Sequence, residues 1–345
     1  MTMDTAVLTE VVIIIVKVMI VAGVLFNLPI PLTWIERKVA GHIQSRLGPF
    51  RVGPHGILQP VADGIKMLLK EDIVPEKADK FLFKIAPLIA LVPMFLIFVA
   101  MPFGESVNLP YVDKEITLYI SDMNMGILYV LAVSGLSVYG LMLGGWASNS
   151  KYALLGGLRS AAQMISYEVS LTFAVIGVVM ISGSLSLLDI VRSQYGGVFH
   201  WNVFYLPVGP VWFVIFVIAG MAEMNRIPFD LPEDEGTLGA GFHTEYSGMR
   251  FSFFAMAEYI AMTSIAALTT ILFLGGWDDP FGTGILPGIF WLMGKVAVLI
   301  YFFMWIRFTI PRYRYDQLMN IGWKILIPVS MANILVTGFL KIWVP

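Results

Sequence analysis

The 345-residue sequence contains no cysteine. This excludes disulfides, thiolate zinc sites and all-cysteine iron–sulfur ligation together. Charge is also scarce: only 13% of residues are charged, where a soluble domain carries ~25%. The formal net charge of −2 gives no argument for nucleic acid or for a polybasic surface. The four histidines, His42, His55, His200 and His243, are too scattered for a haem pair on facing helices. Redox chemistry must therefore belong to a diffusible substrate or a neighbouring chain. The N-terminal segment has Asp4 and Glu10 but no basic residue before Lys17, so it lacks the basic n-region of a cleaved signal peptide. No internal repeat is visible, which counts against the inverted-repeat plan of secondary transporters.

What the chain has is apolar length. Hydrophobic residues make up 58% of it, displacing it toward lipid as solvent. A spanning helix needs ~20 mostly apolar residues. Eight segments qualify, near 8–35, 84–103, 124–146, 161–182, 208–225, 251–275, 287–307 and 324–343. The fold class expected is an all-α integral membrane protein, a single polytopic domain with cytoplasmic loops at about 36–83, 144–160, 226–250 and 308–323. That assignment of sides gathers 17 of the 22 Lys and Arg residues on one side, as cytoplasmic loops do, and puts both termini outside.

Within 57–70, Ile57, Leu58, Val61, Ile65, Leu68 and Leu69 recur at helical spacing, with Asp63, Lys66 and Lys70 on the opposite stripe. This predicts an amphipathic helix at the membrane surface, introduced by Gly48-Pro49 and Gly53-Pro54. Segment 226–250 is rich in Pro, Gly and carboxylates and has no continuous helical stripe.

Chemistry points to ionisable groups in lipid, where a central charge costs at least ~2.5–3.5 kcal/mol. Glu168, Glu223 and Glu258 lie in the fourth, fifth and sixth segments and all enter from the cytoplasmic side. They form either a half-channel of titratable groups or three structural carboxyls tying helices together. Arg226 stands three residues after Glu223 and so on the same face. Four carboxylates follow in Phe229-Asp230-Leu231-Pro232-Glu233-Asp234-Glu235, as a solvated acidic loop or as a funnel into the site. Glu36-Arg37-Lys38 ends the first segment, as interfacial anchor or as site. Lys17 and Lys295 lie toward the outer ends of their helices, where they can snorkel out of the core.

The string Glu223-Met224-Asn225-Arg226-Ile227-Pro228-Phe229-Asp230-Leu231-Pro232-Glu233 resembles the central signature of the quinone-site membrane subunit of NADH:quinone oxidoreductase, respiratory complex I. Gly241-Phe242-His243-Thr244-Glu245-Tyr246-Ser247 continues it. Further likeness lies in Glu36-Arg37-Lys38 through Gln44-Ser45-Arg46-Leu47-Gly48-Pro49, in Gly145-Trp146-Ala147-Ser148-Asn149-Ser150-Lys151-Tyr152 through Arg159 to Ser166-Tyr167-Glu168, and in Pro311-Arg312-Tyr313-Arg314-Tyr315-Asp316-Gln317-Leu318-Met319 with Gly322-Trp323-Lys324.

The resemblance covers the whole chain and implies a bacterial inner-membrane subunit with quinone, ubiquinone in particular, as substrate. It implies no metal or flavin bound by this chain. The partners implied are hydrophilic subunits carrying the terminal iron–sulfur cluster, with small and antiporter-like subunits in the membrane. By the same likeness, Glu36, Arg37, Arg46, Asp63, Arg226, Phe229 and Arg307 line or support a quinone tunnel. Glu168, Glu223, Glu258, Glu233, Glu235 and Glu245 fall on an acidic path linking quinone reduction to proton pumping. One departure is Thr237, where the family usually has a third loop acid; Gly236 and Gly239 also replace more typical residues. The rival readings are the equivalent subunit of a membrane-bound hydrogenase or formate hydrogenlyase, a secondary transporter, and a structural anchor.

Overall fold

The computed structural model describes residues 2–107, 115–231, 239–282 and 286–343, without the side chains of 2–7 and 9. It is helical nearly throughout. The elements are α1 (Thr2–Asn27), α2 (Pro29–Ile43), α3 (Gln59–Leu69), α4 (Lys80–Ala100), α5 (Gly126–Ala147), α6 (Lys151–Ser182), α7 (Leu187–Arg192), α8 (Val208–Glu223), α9 (Gly248–Phe273), α10 (Gly288–Thr309), α11 (Tyr315–Asn320) and α12 (Ile327–Trp343). A π-helical turn, Ile321–Leu326, joins α11 to α12. The strand pair β1 (Ser106–Val107) and β2 (Ile116–Thr117) is antiparallel, with Ser106 opposite Thr117.

Among the described residues, seven helical stretches are long and apolar enough to cross a membrane, and α8 is a shorter eighth. The chain is a multi-pass membrane protein. Its eight apolar segments match those read from hydropathy, and helix α3 matches the surface helix. The apolar stripe of that helix, from Ile57 to Leu69, turns outward from the chain.

Local chemistry sets the boundaries. Asp79 caps α4 by accepting from the backbone N–H groups of Phe81 and Leu82 at 3.1 and 3.2 Å. Helix α6 ends on Gly183, whose left-handed φ of +77° lets its N–H reach Val179 O at 2.8 Å. Small residues bring the helices together, as they do in lipid, where no hydrophobic force acts between helices. A Cβ on Gly140 would run into the backbone of Ala90 in α4, and one on Gly145 into the carbonyl of Ala153 in α6. Trp212 of α8 is fully buried and lies so close to Gly177 of α6 that no side chain fits there. Its Nε1 donates to Thr337 Oγ1 of α12 at 3.2 Å.

Four expectations are corrected. Helix α2 runs on to Ile43, so Glu36-Arg37-Lys38 stands inside a helix and not at its end. Most of 144–160 is helical, because α6 begins at Lys151; Glu168 therefore sits past the midpoint of a 32-residue helix. Helix α8 stops at Glu223 and Asn225 has φ +51°, so Arg226 is not on the helical face of Glu223. Lys295 does not end in solvent: its Nζ reaches the loop after α9 and donates to the carbonyls of Leu274, Gly276 and Asp278.

Candidate functional site: a buried carboxylate between two arginines

Glu36 lies on the buried stripe of α2 with Leu32 and Ala40, one turn to either side, and only 6% of it is exposed. A charge held there needs partners, because the desolvation penalty otherwise wins. It has three. Arg226 Nη1 donates to Glu36 Oε2 at 3.0 Å, Tyr259 Oη donates to the same oxygen at 2.8 Å, and Arg307 Nη1 bonds Glu36 Oε1. Four elements thus converge on one carboxylate: α2, the turn after α8, α9 and α10. The guanidinium of Arg226 also lies over the Tyr259 ring, 4.3 Å from its centroid. Two guanidinium groups thus share one buried carboxylate, Arg226 from within the protein and Arg307 from its partly exposed side.

The turn that carries Arg226 is held on several sides. Phe229 N donates to Arg226 O at 2.8 Å, closing it. The Phe229 ring is buried and packs on Tyr313 and Tyr167, each with centroids 5.6 Å away. Arg312 Nη2 pairs with the buried Asp230 at 2.9 Å. Gln163 of α6 donates from Nε2 to Ala222 O and Phe229 O at 2.8 and 2.6 Å.

A second pair sits on the outward side of α2, where Arg37 Nη1 meets Asp63 Oδ2 of α3 at 2.5 Å and Gln59 Nε2 donates to Asp63 Oδ1 at 3.2 Å. Arg46 joins neither group; its Nε donates to Gln44 Oε1 at 2.7 Å and the residue is exposed.

Behind Arg226 lie the membrane acids. Glu258, beside Tyr259 on α9, interacts electrostatically with Arg226, and Glu223 with Glu168. Glu223 Oε2 is buried without a hydrogen-bond partner among the described residues. It borders a cavity of about 20 Å³ lined also by Ser134 and Ser264, with room for about one water. Glu168 Oε1 rests against α5 at Gly135, where a Cβ would come within 3.0 Å of it. Glu245 is half-buried in the segment leading into α9. Glu233 and Glu235 lie outside the described residues, as does Thr237.

The structure thus brings Glu36, Arg226, Arg307 and Phe229 into one neighbourhood and Arg37 with Asp63 into another. Tyr259 and Gln163 escaped sequence reasoning, although each had a signal: a tyrosine directly after a membrane acid, and an amide one turn before Ser166-Tyr167-Glu168. Among the described residues no group of three or more His, Asp or Glu side chains stands close enough to hold a metal ion.

Fold and site together define an all-α, multi-pass membrane protein with a buried ion-pair cluster where a short helix breaks. A profile of the NADH dehydrogenase family matches residues 14–338. Curated relatives are similar over nearly their full length. A Rhizobium meliloti protein, named as the second H-type subunit of NADH-quinone oxidoreductase, is 60% identical over 326 residues, covering 94% of this chain and 96% of that one. Its namesake in Rhizobium etli is 58% identical over 327 residues, covering 94% and 92%. A namesake in Geobacter metallireducens is 53% identical over 317 residues, covering 89% of each. The chain belongs to the NADH dehydrogenase family.

Proposed function

We propose that this chain is the quinone-site membrane subunit of a proton-pumping NADH–quinone oxidoreductase, not catalytic alone. The observation that carries the reading is the double arginine clamp on Glu36, which gathers two guanidinium groups at one place between the helices. A quinone gains negative charge as it is reduced, and such a site favours that charge over the neutral oxidised form.

In this reading quinone, ubiquinone in particular, enters from the bilayer between α2, the surface helix α3 and α9. It meets a tunnel lined or supported by Glu36, Arg37, Arg46, Asp63, Arg226, Phe229 and Arg307. Electrons come from a hydrophilic partner that carries the terminal iron–sulfur cluster. The chain sits in a bacterial inner membrane with both termini outside and the Lys- and Arg-rich segments 36–83, 144–160, 226–250 and 308–323 on the cytoplasmic side.

Coupling follows from electrostatics. Charge arriving at Arg226 and Arg307 competes with Glu36 and Glu258 for the same cations. Two unit charges ~6 Å apart at an effective dielectric of ~20 interact by roughly 3 kcal/mol, enough to change the protonation of a carboxyl by about two pH units. The change passes through Glu258, Glu223 and Glu168, with Glu233, Glu235 and Glu245 as further stations, to small and antiporter-like membrane subunits that move protons.

The test is Glu223→Gln in cells, assaying their membranes with NADH and either a quinone or ferricyanide. Ferricyanide takes electrons upstream and reports an assembled NADH-oxidising arm. The reading expects quinone reduction coupled to proton uptake to fall while the ferricyanide rate persists. Unchanged coupled turnover would make Glu223 a structural carboxyl, and deletion of the chain without loss of either rate would remove the assignment itself.

A further inference from the structure

Helix α8 has 16 residues, about 24 Å at 1.5 Å per residue, and falls short of a ~30 Å hydrocarbon core. The turn that follows is buried in the protein, with Met224, Asn225, Arg226, Phe229 and Asp230 all shielded from solvent, so backbone groups released there need partners from the protein. Gln163 supplies them. It is wholly buried. Its Nε2 donates to Phe229 O at 2.6 Å and to Ala222 O at 2.8 Å, with Asn225 Oδ1 at 3.3 Å. The other end of the amide, Oε1, is buried without a hydrogen-bond partner among the described residues. Turning the amide over would set that oxygen against three acceptors, so the chemistry fixes its orientation.

We propose that Gln163 is a positioning residue for quinone reduction, a staple between Ala222 and Phe229 that holds the intervening turn and so sets Arg226 against Glu36. The inference rests on the function proposed above. Gln163 bonds neither Arg226 nor Glu223; it acts through the backbone on both sides of them. The turn itself is made by Asn225, which takes a left-handed φ of +51° that asparagine adopts more readily than most side-chain-bearing residues. The adjacent Met164 assists, its sulfur 3.3 Å from Asn225 Nδ2. Glutamine is suited to the position: its two N–H groups serve two carbonyls at once without bringing a charge into lipid. A methionine of similar length would fill the space, bare Phe229 O and leave Ala222 O to the N–H of Asn225 at 3.3 Å.

The experiment uses the whole complex in membranes carrying Gln163→Met or Gln163→Glu, with ferricyanide reduction as the measure of assembly. Gln163→Met is expected to raise the KM for a short-chain ubiquinone analogue roughly tenfold, the effect of one bared buried acceptor, with ferricyanide reduction unchanged. Gln163→Glu is expected to work in acid, where its O–H serves Phe229 O, and to fail as pH rises and it turns ionised oxygens on three acceptors. Its profile is read as a ratio to wild type, because Tyr167, Glu168, Glu223, Arg226, Asp230 and Tyr313 surround the position in both proteins. A wild-type KM in Gln163→Met together with a flat ratio in Gln163→Glu overturns the inference. If Gln163→Met does not assemble, the pH ratio decides alone; if neither variant assembles, Gln163 is a folding residue and the inference also fails. Arg226→Gln run in parallel separates the two levels. Wild-type quinone reduction in that variant sinks the proposed function, whereas its loss beside unaffected Gln163 variants sinks only the staple.

Discussion

Arg226 and Glu36 meet at 3.0 Å across 190 positions of sequence, each only 6% exposed to solvent. The pair joins the broken end of α8 to the middle of α2, and Tyr259 and Arg307 complete it from α9 and α10.

Removing the carboxylate should be far worse than removing the phenol. Glu36→Gln leaves two guanidinium groups facing each other in a buried site, and breaking a buried pair costs roughly 3–5 kcal/mol. Tyr259→Phe deletes one hydrogen bond to a charged group, worth about 1.5–3 kcal/mol. Quinone reduction in membranes should therefore be abolished by the first and reduced about tenfold or more by the second. Equal losses would mean that Glu36 is not the hub.

Gly135→Ala probes the acid path without touching an acid. The added Cβ would meet Glu168 Oε1 at 3.0 Å, and the carboxyl must shift by a few tenths of an ångström. The neighbour is the free end of a side chain, so thermal inactivation should stay at its wild-type temperature. Proton uptake per electron, read with a pH-sensitive dye in sealed vesicles, should fall. A wild-type ratio would show that the position of Glu168 against α5 does not matter for coupling.

The bilayer-facing part of this fold was readable in the sequence because hydropathy measures transfer into lipid directly. The eight apolar segments and the stripe of α3 follow from it. The site was readable only as a collection of acids and arginines. Glu36 looked like the interfacial end of a helix because charge normally marks that end; its pairing with Arg226 and Arg307 comes from long-range packing that no local pattern encodes. Arg226 seemed to share a face with Glu223 because helical spacing assumes the helix continues. The left-handed φ of Asn225 breaks it, and Asn225 followed by Pro228 was a stop signal that the apolar run obscured. Gln163 and Tyr259 passed as ordinary helix residues because a lone neutral polar side chain has no period.

The junction between surface helix and bundle offers a smaller, measurable coupling. Arg250 of α9 pairs with Asp72, just beyond α3, at 3.0 Å, and its guanidinium lies 5.6 Å from the centre of the Phe83 ring. Asp72 is partly exposed, so screening keeps the pair modest. A double-mutant cycle of Asp72→Asn and Arg250→Gln on thermal inactivation should return a coupling of about 1 kcal/mol or less. Additive effects would leave Ser247 as the tie between α9 and the segment after α3, donating from Oγ to Glu71 O at 3.1 Å and accepting from Ile73 N at 3.3 Å.

Far along α9 from its entry at Gly248, a single ammonium closes the helix. Lys295 Nζ donates to Leu274 O at 2.7 Å, Asp278 O at 2.9 Å and Gly276 O at 3.0 Å, which uses all three of its hydrogens. It also stands 4.2 Å from the centre of the Trp201 ring. A cation at a helix C-terminus is favoured by the helix dipole, and here it also ties together the carbonyls of the C-cap Leu274 and of the loop that follows. Gln194 secures the same end, its Oε1 accepting from Gly275 N at 3.0 Å and its Nε2 donating to Ile271 O at 2.9 Å. Lys295→Met keeps the aliphatic stem and bares three carbonyls at once, so the loss should exceed that of any single hydrogen bond here, roughly 3 kcal/mol. Lys295→Arg keeps the charge, but its planar fork cannot converge on three acceptors as an ammonium does, and it should recover only part of the loss. The measurement is the rate of heat inactivation of quinone reduction in membranes, with initial activity near wild type because the residue lies away from the Glu36 cluster. Full recovery by arginine would mean that charge alone matters at this end; wild-type inactivation in Lys295→Met would mean that Gln194 holds α9 without help.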